Sequence, residues 1–323
     1  MFSVIIATMN RWMILRRALE AYLGQTALSE ISEILIVDDG STDRTHAVVS
    51  EVAQTSPVPI RYFRQDHRGA AAARNLAIRE ARGDLFLFTD DDVVPSSTLV
   101  EEHSKWHRQN PDPCVAVLGF IPWDPEVRPT PFMNWLIWGG PLLNLRECSK
   151  RKELGFEFFY TGNLSLKAEF LRKNGTFDED FRSYGYEDLE LGYRLTRRGL
   201  RLLYNPDAVG YHYKYMSFAD ACRRAQLVVA AERVFQTKEA GVYFAEIVAR
   251  RRRTLKFRML KLLARWLTPA LAPLKLLLDT QIPLPWPVYR ALYHYYCVPK
   301  SQARCSRESE FRERLGNGPL TKA

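Results

Sequence analysis

The sequence is short of the features that would place it quickly. Its five cysteines, at 114, 148, 222, 297 and 305, are odd in number, widely spaced and without a CxxC pair. That usage predicts reduced thiols in a cytosolic compartment and argues against a disulfide framework or a structural zinc. Six histidines are scattered, so their spacing points to no transition-metal site. No GxGxxG follows the first apolar run and no GxxxxGK[ST] occurs, which removes the dinucleotide fingerprint and the P-loop. Long apolar runs are missing too: WLTPALAPLKLLL (266–278) is too short to span a bilayer and holds Pro269, Pro273 and Lys275. The chain enters a strand-like run at Val4 with no basic n-region, so no secretory leader is expected. Repeats and low-complexity tracts are absent.

What is present is enough to fold. The 323 residues are 46% hydrophobic and 12% aromatic, which supports a real core and excludes wholesale disorder. The net charge of +9 is local in origin. Residues 243–280 carry nine Lys/Arg against Glu246 and Asp279, a surplus of +7. The rest of the chain is close to neutral.

The first hundred residues alternate strand and helix signals. SVIIAT (3–8), EILIVDD (33–39), IRYFRQ (60–65) and LFLF (85–88) are apolar, β-rich runs. Between them lie helical patterns at 11–29, after Ser41, and over GAAAARNLAIREARG, from Gly69 to Gly83. This order predicts β-α-β units and a parallel sheet, with ligands at the carboxyl ends of the strands. Residues 104–160, rich in Trp and Pro, are expected as loops over the sheet. A helix is predicted at 168–173 and another over YGYEDLELGYRLTRRG, ending at Gly199, before a strand-like return through LRLLYNPDAVGYHY. From Ser217 the pattern is mostly helical, with a Pro-rich break at 282–289.

Acidic residues collect at the predicted strand ends. TDDD (89–92) sets three carboxylates side by side, each adjacent pair costing about 3 kcal/mol at an effective dielectric of about 20. Alone, TDDD is a polar loop and VDDGSTD (37–43) a turn with a helix cap. Together, at neighbouring strand ends, they predict a hard divalent cation, Mn2+ or Mg2+, that relieves the repulsion. Asp90 and Asp92 project to one side of an extended chain and would grip a diphosphate through that metal. Asp39 would accept from a nucleobase, and Arg74 could reach the base or the phosphates. In YGYEDLEL, Glu187 and Asp188 also suit the first turn of any helix. Flanking Gly185, Tyr184 and Tyr186 nevertheless suggest an entry loop over a pocket, where a carboxylate could take a proton from a hydroxyl. His212 is either a structural histidine or a further metal ligand.

The motifs VIIATMNR, EILIVDDGSTD, QDHRGAAAARNLAI, GDLFLFTDDDVVP, TGNLSL and GYEDLELGYRL, in that order, resemble family 2 glycosyltransferases over residues 2–215. The latter half is similar to the galactosyltransferase and N-acetylgalactosaminyltransferase extension. The resemblance implies an α/β GT-A fold, with a Rossmann-like, mixed but mostly parallel sheet flanked by helices. It also implies a nucleotide-diphospho-sugar donor, a divalent metal and inversion at the anomeric carbon. By position, Thr8 and Asn10 would lie near the nucleotide, Asp39 would read the base, and Asp90 would approach the ribose. Asp92 would bind the metal, Asp91 could substitute in either role, and His212 would be a further ligand. Gly162 and Asn163 would line the sugar pocket, and Asp188, or else Glu187, would be the general base. Ala7-Thr8-Met9 departs from the usual proline and aromatic, which loosens the expected shape of the first loop.

The expected organisation is a catalytic domain over 1–215, split into a donor half (1–100) and an acceptor half (101–215), followed by a basic helical region over 216–323. Residues 250–267, RRRRTLKFRMLKLLARWL, form an amphipathic basic pattern that either packs on the catalytic domain or lies on an anionic membrane. Nucleic acid is not expected, because the apolar face is wide. These features predict a cytoplasmic enzyme, peripheral on the inner face of the membrane. It would act on a glycan or lipid-linked glycan in surface polysaccharide or glycolipid synthesis, with a UDP-sugar the favoured donor. The alternatives are a nucleotidyltransferase, which lacks its Gly-rich, basic loop here, and an inactive glycan-binding scaffold, which would need a broken acidic motif.

Overall fold

A computed structural model describes residues 1–252 and 270–297. Among the described residues there are nine strands: β1 (Phe2–Thr8), β2 (Ile31–Asp38), β3 (Ile60–Arg64), β4 (Leu85–Asp90), β5 (Val93–Pro95), β6 (Val115–Phe120), β7 (Glu153–Leu154), β8 (Asn163–Lys167) and β9 (Arg201–His212). The helices are α1 (Trp12–Leu23), α2 (Thr45–Thr55), α3 (Ala70–Glu80), α4 (Leu99–Gln109), α5 (Pro131–Trp138), α6 (Leu145–Cys148), α7 (Ala168–Asn174), α8 (Glu187–Arg197), α9 (Phe218–Thr237), α10 (Glu239–Arg252) and α11 (Trp286–Tyr296).

The sheet runs β3-β2-β1-β4-β8-β6-β9-β5, with β7 on β9. Its first four strands are parallel, and beyond β4 the pairing is mixed: β8 is antiparallel to both β4 and β6, while β6 and β9 are parallel. The central strands are buried on both faces, as their unbroken Val, Ile and Leu runs require. In α1 the buried Leu15, Ala18, Leu19 and Tyr22 follow helical spacing. Alanines at 71, 72, 73 and 77 are buried in α3, where small side chains bring the helix close to the strands.

Register aligns the functional ends. Thr8 pairs with Asp38, Ala7 with Asp90, and Thr89 with Asn163. The irregularity between Gly119 and Phe120 lets β9 leave β6 and pair with β5, setting His212 opposite Val93.

The structure corrects two expectations. Residues 104–160 hold the end of α4, β6, α5 and α6. VAVLGF (115–120) is a buried strand hidden between polar flanks, and the tryptophans face inward. Thr130 caps α5 and Pro131 opens it, Trp123 Nε1 donates to the Met133 carbonyl (2.8 Å), and Trp135 is fully covered. A core of Trp123, Phe132, Trp135, Phe218, Tyr289 and Leu292 thereby joins this section to α9 and α11. The Pro-rich break is where α11 begins, since proline suits the first helical turn. Second, Cys222 and Cys297 form a disulfide, 75 residues apart in sequence. Helix packing brings them together, which spacing could not reveal.

Candidate active site

The carboxyl ends of β1, β2 and β4 meet the head of α8 and the end of β9. Asp90 closes β4, and Asp91 and Asp92 form the turn into β5. Their mutual repulsion is met by the protein's own groups. Thr8 Oγ1 donates to Asp91 (2.8 Å), and Arg11 Nη1 reaches both Asp91 (3.0 Å) and Asp92 (2.6 Å). His212 Nε2 lies 3.4 Å from the Asp92 carboxylate, its ring stacked on Trp123 at 4.8 Å, and Lys214 Nζ is 3.9 Å from the same carboxylate. The two neighbours are driven apart. Burial pushes Asp91 up to about 7, against the pull of Arg11. At Asp92 burial opposes the charge, yet His212, Arg11 and Lys214 hold the carboxyl well below its ordinary range.

Asp90 turns toward a different cation. Arg74 is buried, with Nη2 on Asp90 (3.0 Å), Nη1 on Glu187 (2.9 Å) and Phe177 beneath it at 5.5 Å. The arginine expected near the base or phosphates therefore bridges the strand-end cluster to the acidic box on α8. Glu187 Oε2 is buried without a hydrogen-bond partner among the described residues. Asp188, beside it, is half-buried and accepts from the Leu189 amide (2.8 Å). Burial and the Glu187 charge push Asp188 up to about 7, with Arg74 pulling the other way. Such a carboxyl is poised to exchange a proton near neutrality.

Other predicted residues are tied into the frame. Asn10, in the left-handed region at φ 55°, accepts from the Thr42 amide (2.8 Å), and its own amide donates to Ser41 Oγ (2.8 Å). Asp39 accepts from Gln65 (2.7 Å), the Arg68 amide (2.8 Å), His67 (2.7 Å) and the Gly69 amide (2.9 Å). A base N–H would have to replace one of these donors. Gly69 itself has φ +94°, and a Cβ there would meet the Arg182 carbonyl at 2.8 Å. A Cβ on Gly162 would approach the Asp90 carboxylate to 3.1 Å, so that bare backbone borders the cleft. Asn163 is buried, held by His103 (2.8 Å), and donates to the Ala208 carbonyl (2.8 Å). Tyr186, at φ 69°, stacks on Phe235 of α9 at 4.8 Å.

Sequence reasoning passed over Arg11 and Lys214. Both carried a faint signal, one residue beyond Asn10 and two beyond His212. Tyr184 was noted only as a flank, and Arg224 on α9 had no signal, since packing alone brings it to Tyr184.

The donor chemistry suits a divalent cation: the Asp92 carboxylate and the His212 imidazole meet where Arg11 and Lys214 supply positive charge. Among the described residues, no three His, Cys, Asp or Glu side chains form a ready-made cage.

The family model described as "Glycosyl transferase family 2" matches residues 3–172, just over half of the chain, and the protein belongs to that family. Among its relatives, validoxylamine A glucosyltransferase of Streptomyces hygroscopicus subsp. jinggangensis is 32% identical over 234 residues, 65% of this chain and 54% of the relative. Hyaluronan synthase of Pasteurella multocida is 29% identical over 227 residues, 61% of this chain and 23% of that protein. The chain thus spans about half, or less, of the curated relatives' length. Among solved structures, a mannosyltransferase from Pyrobaculum calidifontis with GDP-Man and Mn2+ superposes with TM-score 0.56, at 22% identity, over 90% of this chain and 85% of that one. S. aureus TarS 1-349 with UDP-GlcNAc gives 0.53 at 18% identity, over 71% and 66%. These likenesses carry the GT-A fold.

Proposed function

We propose that the enzyme moves a sugar from a nucleotide-diphospho-sugar, a UDP-sugar favoured, onto an acceptor hydroxyl with inversion at the anomeric carbon. The observation that carries this reading is the chain Asp90–Arg74–Glu187, which ties the strand-end cluster to a half-buried Asp188 poised near neutrality. Asp188 takes the acceptor's proton as its oxygen attacks opposite the departing diphosphate. Glu187, with its free Oε2, orients a hydroxyl beside it. Arg74 fixes Asp90 and Glu187, so the work is positioning and electrostatics. Asp92, with Asp90 and His212, would hold Mn2+ or Mg2+, which when bound neutralises negative charge on the leaving group. Neighbours solved with GDP-Man and UDP-GlcNAc, and a relative named hyaluronan synthase, support a nucleotide-sugar donor and a glycan acceptor; a lipid-linked glycan is the form a membrane-bound enzyme would meet. The test is UDP release from a panel of UDP-sugars with Mn2+ and candidate acceptors. Wild type turns over at least one. Transfer undiminished in Asp92→Ala at saturating metal contradicts the metal role.

We also propose a peripheral place on an anionic membrane surface, in surface polysaccharide or glycolipid synthesis. No helix among the described residues is long and apolar enough to cross a bilayer. Of the basic stretch 250–267, residues 253–267 lie outside the described residues. Leu276 (83% exposed), Ile282 and Tyr295 follow it, and these outward apolar side chains support surface attachment.

A further inference from the structure

Arg224 sits on α9, half-buried. Its guanidinium lies 5.0 Å over the Tyr184 ring, with Nη2 only 3.5 Å from the Tyr184 hydroxyl. Among the described residues no carboxylate comes within ion-pairing distance of it. Its neighbour Arg223 is different, being paired with Asp220. So are the other arginines of the cleft, for Arg11 and Arg74 each hold two carboxylates. A guanidinium has five donors, and removing its charge from water without an anion is costly. Arg224 thus keeps donors to spare.

Its position limits where an anion could reach it. Tyr184 stands four residues before Asp188 in the loop that enters α8, and a Cβ on its neighbour Gly185 would lie 3.6 Å from the Val228 side chain of α9, so the pair borders the Asp188 side of the cleft. At the Asp92 end, where a diphosphate would leave, Arg11 and Lys214 already stand. Arg224 instead stands on Tyr184, in the loop that leads into Asp188 and α8. Tyr184, 53% exposed, offers the remainder of its ring to a sugar face. The disulfide at Cys222, two residues earlier, ties α9 to the end of α11 and so anchors this part of α9.

We infer that Arg224 and Tyr184 form an acceptor subsite for a sugar or polyol bearing an oxyanion, a carboxylate or a phosphate, next to the hydroxyl that is glycosylated. This rests on the reading of Asp188 as the base. The inference specifies an acidic acceptor and gives α9 a share in choosing it.

Calorimetric titration of the full chain, with and without UDP, tests it with glucose, glucuronate and glucose 6-phosphate as probes. At least one charged probe should bind about tenfold more tightly than glucose. Arg224→Ala should bring it to the level of glucose, Arg224→Lys should restore part of the difference, and both should bind UDP like wild type. Glucuronate preferred over glucose 6-phosphate marks a carboxylate acceptor, and the reverse marks a phosphate. Equal binding of charged and neutral probes by wild type overturns the inference. So does Arg224→Ala weakening UDP while discrimination among the sugars persists, because the cation would then serve the donor. Failure of wild type to bind UDP would count against the donor reading alone, since discrimination is also measured without nucleotide.

Discussion

At the scale of single residues, carboxylates that share a cleft are set to different tasks by what surrounds them. Asp92 is held ionised by its contacts with His212, Arg11 and Lys214, whereas Asp188 is pushed up to about 7 by burial and Glu187. A carboxyl raised from 3.8 favours the protonated form in the folded state, so its share of stability falls as pH rises from about 4 to 7. Asp188→Asn should therefore be more stable than wild type at pH 8, by about 1–2 kcal/mol, and equal to it near pH 4. Denaturant unfolding at the two pH values checks this. Arg74→Ala has the opposite sign. It strands Asp90 and the buried Glu187, and should cost about 3–5 kcal/mol with loss of transfer. Arg74→Lys, a single ammonium, cannot span both carboxylates and should recover little transfer.

At the scale of elements, legibility followed contact distance along the chain. The β-α-β half was readable because each strand is a continuous apolar run and each helix has its own period, as in Leu15, Ala18, Leu19 and Tyr22. The acidic ends were readable because register aligns them. What escaped was set by distant packing. VAVLGF was masked by its polar flanks, the indoles of Trp123 and Trp135 looked like loop residues, and Arg224 meets Tyr184 only through the α9 packing. The role of Asn163 was also invisible. Its amide ties α4 to β9 through His103 and the Ala208 carbonyl. The Cys222–Cys297 bond makes the clearest prediction here. Peptide mapping without reductant should recover the two as one linked fragment. Reduction should lower stability by about 2 kcal/mol or more, since the closed loop is long.

At the scale of the whole molecule, a near-neutral fold carries most of its surplus charge in residues 243–280, and exposed Leu276, Ile282 and Tyr295 lie at the end of that stretch or beyond it. Binding to anionic vesicles should be strong at low ionic strength and weaken at 0.5 M salt, while neutral vesicles bind little. Flotation that ignores lipid charge would remove the membrane proposal. The central claim, however, is that the acidic cluster, Arg74 and Asp188 form one device for sugar transfer. Its most direct test is the pH dependence of UDP release for wild type and Asp188→Asn, with UDP binding measured on both. The account predicts a wild-type rate that rises through pH about 7 and levels off. It also predicts a loss of about a hundredfold or more in the variant, with UDP still bound. A variant that transfers sugar at the wild-type rate, with the same rise near neutrality, would contradict it.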